Sequence, residues 1–182
     1  MSSRIPRLAL DQLAPALAAR LKPRVERLGY LGEFFQCAAH QPAALAAFVE
    51  FTEASKQGLD ENLVELIALT AATRLGNDYE RHQHERLSVR LGLGREWVAA
   101  VERCEPAALS DREAIVQRYV LRAIDMHGHG VSDELAAVVE ALGPEPAVAV
   151  MMVLGRYLVH ALIVNSLGLA PPVPSIFEDG FE

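Results

Sequence analysis

The sequence is poor in cysteine, threonine and aromatic residues. Its 182 residues include two cysteines, three threonines and 6% aromatic residues. Cys37 and Cys104 form neither a Cys-x-x-Cys pair nor a zinc-type spacing, so a disulfide framework is excluded and a reducing compartment is favoured. Because threonine and aromatic residues favour strands, their scarcity argues against a β-rich fold.

Basic charge is also in short supply. Seventeen Lys and Arg residues against 24 Asp and Glu give a net charge of −7, which argues against a nucleic-acid-binding surface. The first residues lack the apolar stretch of a signal peptide, so we expect a cytoplasmic protein. Residues 147–170 are the most apolar stretch, but Arg156, His160 and Asn165 within them favour a buried core helix over a membrane span.

Alanine and leucine dominate the chain. There are 28 Ala and 25 Leu residues, and hydrophobic residues make up 51% of the sequence. Both residue types are strong helix formers, so the sequence predicts an all-α fold. No Gly/Ser-rich linker interrupts it, and a single domain over residues 1–182 is expected.

Proline, glycine and capping residues divide the chain into predicted helices. The first is expected to end before Pro23, because proline disrupts a helix interior. Ser110 and Glu113 form a capping box that opens a later helix. Residues 170–174 are too rich in proline to be helical, and the tail after them is expected to lie on the surface. The predicted helices are 11–21, 30–40, 42–57, 60–75, 77–92, 95–103, 110–124, 132–142 and 146–167.

The most informative window runs from Glu65 to Glu85. Asn77, Glu80 and His84 are spaced i, i+3 and i+7, so they share one helix face. A carboxylate one turn from an imidazole can form a proton-transfer pair that works near neutral pH. Glu65 lies in the middle of an apolar helix, and the tight connection at Gly76 folds the two helices back on each other. We therefore predict that Glu65 meets His84; the alternative is a surface Glu80–His84 pair with Glu65 in solvent.

This window resembles the carboxymuconolactone decarboxylase-like and alkylhydroperoxidase D (AhpD)-like family. Glu65 and His84 match the family's glutamate and histidine at a separation of 19 residues, while Asn77 and Glu80 occupy the positions of its two thiols. The resemblance implies an AhpD-like multi-helix bundle that assembles as a homo-oligomer, a trimer or a hexamer. It places a family core at about residues 42–130, after an N-terminal helical extension (1–41) and before a C-terminal helix and tail (145–182).

The loss of both thiols favours acid–base chemistry over thiol peroxidase chemistry. The resemblance thus implies an enzyme of decarboxylase or lyase type that needs no cofactor and acts on a small carboxylated or lactone metabolite, with Glu65, Glu80 and His84 as catalytic residues. Two alternatives stay open, namely a peroxidase-related antioxidant protein that uses Cys37 and a non-catalytic oligomer that binds a small ligand. Candidate substrate-binding residues are Asn77, Tyr79, Arg74, Arg81 and His127.

A metal site at His127 and His129 is also conceivable. Both residues lie at a predicted helix end next to glycines, where a histidine also favours the helix dipole and needs no metal to explain it. His82 and His84 are two residues apart and point to different faces of their helix. The spacing matches no known ligand pattern, so no metal is predicted.

Overall fold

The computed structural model describes residues 5–179 and residue 181. Within these residues the chain forms ten α-helices and two short 3-10 helices and contains no strand, which confirms the all-α prediction. The 3-10 helices are Leu10–Gln12 and Pro106–Ala108. The α-helices are α1 (Pro15–Leu28), α2 (Glu33–Ala38), α3 (Pro42–Ala54), α4 (Glu61–Arg74), α5 (Asp78–Arg90), α6 (Arg95–Glu102), α7 (Asp111–Asp125), α8 (Ser132–Leu142), α9 (Pro144–Leu167) and α10 (Ile176–Asp179).

The first helix differs from its prediction. It begins at Pro15 and continues through Pro23 to Leu28, where Gly29 ends it in the left-handed conformation with φ 81°. The prediction that it stops before Pro23 is wrong. The side chains of Leu17 and Leu21 are buried and hold the helix against the core, while Pro23 lies on its exposed side. Packing therefore outweighs the single backbone hydrogen bond that proline cannot donate.

The second helix is shorter than predicted. Instead of covering residues 30–40, α2 is confined to Glu33–Ala38. Gly32 precedes it and packs closely against Tyr79, so that a Cβ at this position would lie 2.7 Å from the tyrosine hydroxyl oxygen. The close approach of these two segments fixes the loop between α1 and α2 against α5.

The core is built around α4. Its residues from Leu63 to Ala72 are all buried, because α5, α6, α7 and α9 surround it. A second apolar cluster joins α1, α2 and α3 to the C-terminal end of α9. By length and composition α9 could cross a membrane, but its most apolar stretch is 56% buried within the described structure, as in the core helix of a soluble protein.

The connection between α4 and α5 is as tight as the sequence predicts. Gly76 adopts a positive φ of 62°, and the side chain of Asn77 accepts a hydrogen bond from the backbone amide of Glu80 at 3.3 Å. This cap starts α5 immediately after the turn. The two helices therefore pack against each other and present Glu65 to the face of α5 that carries His84.

The C-terminal tail is anchored in the protein. The prediction that it lies on the surface is wrong for Ser175 and Ile176, which are 4% and 0% exposed. The carboxylate of Glu85, itself 0% exposed, accepts hydrogen bonds from the Ser175 hydroxyl at 2.6 Å and from the Ile176 amide at 2.8 Å. A buried carboxylate needs such partners, so Glu85 draws the tail onto α5.

We expect Ser175→Ala to lower the free energy of unfolding by about 1–3 kcal/mol, because the buried Glu85 carboxylate loses a hydrogen bond. Urea denaturation followed by circular dichroism measures the change. Ser132→Ala is the matched control, since Ser132 is exposed and its replacement should change stability by less than about 0.5 kcal/mol. Equal stability of the two variants would show that the tail contact contributes nothing.

Candidate active site

One cavity of about 150 Å³ lies between α5, α9 and the N-terminal helices. Residues of α1, α2 and the loop between them form one wall, within residues 24–35. The side chains of α5 and α9 that line it are almost all polar or aromatic. They are Tyr79, Glu80, Gln83, His84, Leu87, Arg90, Arg156, Tyr157 and His160.

His84 connects a buried carboxylate to this cavity. Its Nδ1 lies 2.7 Å from Oε2 of Glu65, which is 3% exposed, so the predicted contact is present and Glu65 does not face solvent. Because a carboxylate only accepts hydrogen bonds, Nδ1 carries the hydrogen. The other ring nitrogen, Nε2, lies 3.1 Å from the hydroxyl of Tyr157. The hydroxyl of Ser88 donates a further hydrogen bond to Glu65, at 3.4 Å.

Glu80 lies beside this series in a second polar group. Its Oε1 accepts a hydrogen bond from Nη1 of Arg156 at 2.5 Å. The same oxygen lies 3.7 Å from Nδ1 of His160 and 3.9 Å from Nε2 of His84. As expected from the helix spacing, Glu80 reaches His84, and the structure adds Arg156 and His160 from α9.

Opposing effects set the protonation of these groups. Burial alone would lower the pKa of His84, but the charge and hydrogen bond of Glu65 and the charge of Glu80 outweigh burial and raise it. Burial alone would raise the pKa of Glu80, but His160, Arg156 and His84 outweigh it and lower that pKa. Burial raises the pKa of Tyr157 well above its usual range. These surroundings favour the protonated form of His84 and the neutral form of Tyr157.

The pKa of His160 shifts in the opposite direction to that of His84. Burial outweighs the attraction of Glu80 and lowers its pKa to about 4, so the ring is neutral at pH 7. Its Nδ1 lies 3.4 Å from the side-chain amide nitrogen of Asn77. The amide donates, so Nδ1 accepts and the hydrogen is on Nε2.

We expect the stability of the protein to fall between pH 6.5 and pH 4 through His160. In this range the unfolded chain, with a histidine pKa of about 6.5, binds a proton that the folded chain does not, so acid favours unfolding. Relative to His160→Gln, the wild type should lose up to about 1.4 kcal/mol per pH unit within this window. Urea denaturation at several pH values measures the difference. An NMR titration of His160 with a midpoint near 6.5 would contradict the prediction.

The structure separates the five predicted substrate-binding residues. Tyr79 lines the cavity, with its hydroxyl accepting a hydrogen bond from the Phe34 amide, and Asn77 contacts the site through His160. The other three, Arg74, Arg81 and His127, are not among its lining residues.

Each of these three is held elsewhere by its own surroundings. Arg74 pairs with Asp125 at 2.7 Å. Arg81 lies on another face of α5, where carboxylates of Asp78 and Glu85 bind it at 2.8 and 3.0 Å. His127 lies in the exposed turn after α7 with a positive φ of 52°. These three residues therefore do not line this cavity, and substrate binding by them stays a prediction.

The cysteines and the remaining histidines lie outside the cavity lining. Cys37 is 3% exposed in the second apolar cluster, and burial raises the pKa of its thiol, which disfavours the reactive thiolate. Cys104 is partly exposed and lies after α6. Within residues 5–179 and 181, no three His, Cys, Asp or Glu side chains form a group that could hold a metal ion.

Sequence reasoning missed the residues that α9 contributes. In the sequence alone, Arg156 and His160 count only as evidence against a membrane span. Their signal was present, since Arg156 and His160 are spaced i, i+4 on an otherwise apolar helix and so share a face. A buried positive charge requires a buried partner, and Glu80 was available.

Comparison with known proteins shows what the chain resembles. A family model described as "Carboxymuconolactone decarboxylase family" (CMD) matches residues 42–116, which contain Glu65, Glu80 and His84. A solved structure from Ralstonia eutropha JMP134, described as an alkylhydroperoxidase AhpD core and uncharacterized peroxidase-related protein, superposes with a TM-score of 0.83 at 18% identity, covering 100% of this chain and 95% of that one. Residues 42–116 therefore match this family, and the chain as a whole shares the AhpD-like fold.

Further solved structures share this fold. A putative antioxidant defence protein AhpD from Agrobacterium tumefaciens has a TM-score of 0.69 at 19% identity and covers 75% of this chain and 96% of its own. The debrominase Bmp8, in a complex with 2,3,4-tribromopyrrole, has a TM-score of 0.79 at 14% identity and covers 93% and 92%. No curated protein sequence matches the chain. At these identities the likeness establishes the fold alone.

Proposed function

We propose that this protein is a cofactor-independent acid–base enzyme of decarboxylase or lyase type that acts on a small carboxylated or lactone metabolite. The observation that carries the proposal is the hydrogen-bonded series from Glu65 through His84 to Tyr157, which ends at the cavity. Each member is a proton donor or acceptor, and the raised pKa of His84 suits proton transfer near neutral pH.

In the proposed reaction the bond between the substrate carbon and its carboxylate breaks. Carbon dioxide leaves, and the electron pair remains on the substrate as an enolate. Tyr157 donates its hydroxyl proton to the carbon and recovers one from the protonated His84, whose Nε2 lies 3.1 Å away. Solvent water then returns a proton to His84, so each turnover consumes one proton and releases one carbon dioxide. Glu65 holds the imidazole in place and stabilises its charge. Arg156, with its guanidinium carbon 4.3 Å from the Tyr157 ring centre, stabilises the developing negative charge.

The test is a panel of carboxylated lactones and other enol-forming acids incubated with the protein in D2O. We expect at least one to release carbon dioxide and to gain deuterium at the protonated carbon in its proton NMR spectrum. His84→Gln should lose this activity while keeping the wild-type circular dichroism spectrum. Ligands that bind without any conversion would instead support a non-catalytic binding protein, and undiminished activity in His84→Gln would exclude the proposed mechanism.

The Cys37 peroxidase alternative has less support. The thiol is buried outside the cavity lining, and its raised pKa keeps it protonated. Peroxide-dependent loss of free thiol at Cys37, measured by mass spectrometry of the folded protein, would restore that alternative.

We also propose that the chain assembles as a trimer or a hexamer. Support comes from α9, which exposes Val148, Met152, Val159 and Leu162 at heptad-like spacing, with Leu162 71% exposed. Between Glu145 and the end of α9, the one charged residue is Arg156, and it is buried. A continuous apolar face of this kind favours burial against another copy.

Light scattering should give three or six times the 19.8 kDa mass of the chain. Met152→Glu together with Leu162→Glu should shift the protein to smaller species, because each copy would place charges in the contact. A wild-type mass of 19.8 kDa at micromolar concentration would contradict the assembly.

A further inference from the structure

The charged side chains that line the cavity are mainly basic, although the protein as a whole is negatively charged. The chain as a whole carries −7, yet among the lining residues one carboxylate, Glu80, faces five basic side chains. The basic residues are Arg24, Arg27, Lys56, Arg90 and Arg156. Such an excess in a concave, partly buried site favours a negatively charged ligand.

Glu80 balances the charge of Arg156, but one nitrogen of the guanidinium group can still bind a ligand. Nη1 donates to Glu80 at 2.5 Å and Nε donates to the Thr52 hydroxyl at 3.4 Å. Among the described residues no hydrogen bond is made by Nη2, which leaves this nitrogen for a ligand. Its side chain is 8% exposed, so a ligand would meet it in a site largely shielded from water.

Arg24 lacks a buried counter-ion. Its carboxylate partner is Glu53, at 3.5 Å with a side chain 60% exposed, and Lys56 shares that carboxylate at 3.5 Å. The Arg24 guanidinium instead lies over the ring of Phe35, 5.0 Å from its centre. Burial and the charge of Arg156 together lower the pKa of Arg24 despite Glu53. The cavity therefore holds a positive charge that its surroundings compensate poorly.

We propose that Arg24 and Arg156 together bind the carboxylate group of a small organic acid in this cavity. The planar guanidinium presents paired donors that match a carboxylate, and a bound anion relieves the repulsion between the two arginines. This inference rests on the proposed function for its location, since it assigns the group that positions the substrate beside Tyr157 and His84.

Arg24 lies outside residues 42–116, the part of the chain that the family model matches. It lies on α1, which lines the cavity together with the following loop. The inference therefore makes Arg24 a specificity-determining residue, supplied by the N-terminal helix to helices that hold the proton-transfer groups. An uncharged analogue would leave the two guanidinium groups unbalanced and bind weakly.

Binding is tested with benzoate as the probe and benzamide as its neutral counterpart, by thermal shift over a concentration series with the full chain. We expect benzoate to raise the melting temperature of the wild type and benzamide to raise it far less. Arg24→Met should weaken benzoate binding at least about tenfold, as expected for the loss of a charge-assisted contact. Arg24→Lys keeps the charge and loses the paired donors, so its affinity for benzoate should lie between those of the wild type and Arg24→Met.

The matched control is Arg20→Met on the same helix. Arg20 pairs with Glu50 at 2.6 Å and does not line the cavity, so this variant should bind benzoate as the wild type does. Without ligand, Arg24→Met should melt no lower than the wild type, because it removes a repulsive charge; a lower melting temperature with unchanged benzoate binding would make Arg24 structural and overturn the proposal.

Three other results would overturn it as well. In the first, benzoate does not raise the melting temperature of the wild type. In the second, benzamide binds as tightly as benzoate. In the third, Arg24→Lys and Arg24→Met both bind benzoate as tightly as the wild type does. The benzoate measurement reads binding and the deuterium measurement reads carbon protonation, so failure of either proposal leaves the test of the other intact.

Discussion

Arg156→Met should lower the free energy of unfolding by about 3–5 kcal/mol, which is the cost of removing one partner from a buried ion pair. The Arg156 and Glu80 side chains are 8% and 7% exposed, and their charged atoms lie 2.5 Å apart. Without the guanidinium, the Glu80 carboxylate keeps only the more distant His84 and His160. The remaining charge would then be buried with poor compensation.

Chemical denaturation of Arg156→Met measures this loss, and two further variants give it meaning. Replacing Glu80 by methionine in the same chain should recover part of the stability, because the unpaired charge is removed. Arg122→Met is the control, since Arg122 pairs with Glu134 at 3.7 Å and its side chain is 49% exposed; it should cost less than about 1 kcal/mol. Equal losses in Arg156→Met and Arg122→Met would mean that the buried pair is unimportant for stability.

Glu65→Gln should reduce turnover of the substrate by about 10²–10⁴-fold, the range for losing acid–base assistance. Glutamine keeps the shape of the side chain but removes its charge, so the pKa of His84 should fall. The amide can also donate to Nδ1, which would place the ring hydrogen on Nε2, the nitrogen that faces Tyr157 at 3.1 Å. The neutral imidazole would then have no acidic proton to return to Tyr157.

Nitrogen-15 NMR of His84 reports both the tautomer and the titration midpoint and needs no substrate. A merely structural Glu65 would change stability without moving the pH dependence of turnover, so the pH–rate profile separates the two roles. Glu61→Gln is the control, because Glu61 lies exposed at the start of the same helix. An unchanged His84 midpoint in Glu65→Gln would refute the assignment of Glu65 as the positioning residue.

Much of the fold could be predicted from local sequence signals. Helix α7 follows its capping box, with Ser110 and Glu113 bonded as the pattern requires, and α3 begins at Pro42. Predictions failed where packing outweighs local preference. Helix α1 passes through Pro23 because neighbouring leucines are buried, and the tail is pulled inward by the Glu85 carboxylate, a long-range contact that local periodicity does not encode.

In the candidate site, too, some residues could be predicted from the sequence and others could not. Glu65 and His84 lie on consecutive helices joined by a tight turn, so the rise per residue alone predicts that they meet. Arg156, Tyr157 and His160 come from a helix more than 70 residues further along the chain, and only the three-dimensional packing of α9 against α5 brings them there. Arg74 and Arg81 lie near Glu80 and His84 in the sequence, but their own carboxylate partners hold them away from the cavity.

Arg156 contacts residues that are far away in the sequence, and this separation affects how the protein folds during synthesis. Arg156 bonds Glu80 across 76 residues and Thr52 across 104. A nascent chain on the ribosome therefore completes α4 and α5 long before α9 emerges to neutralise Glu80, and until then that carboxylate must stay in water. Contacts this distant in sequence form late and slow folding. We therefore expect the helical hairpin of α4 and α5 to mature only after α9 has been released.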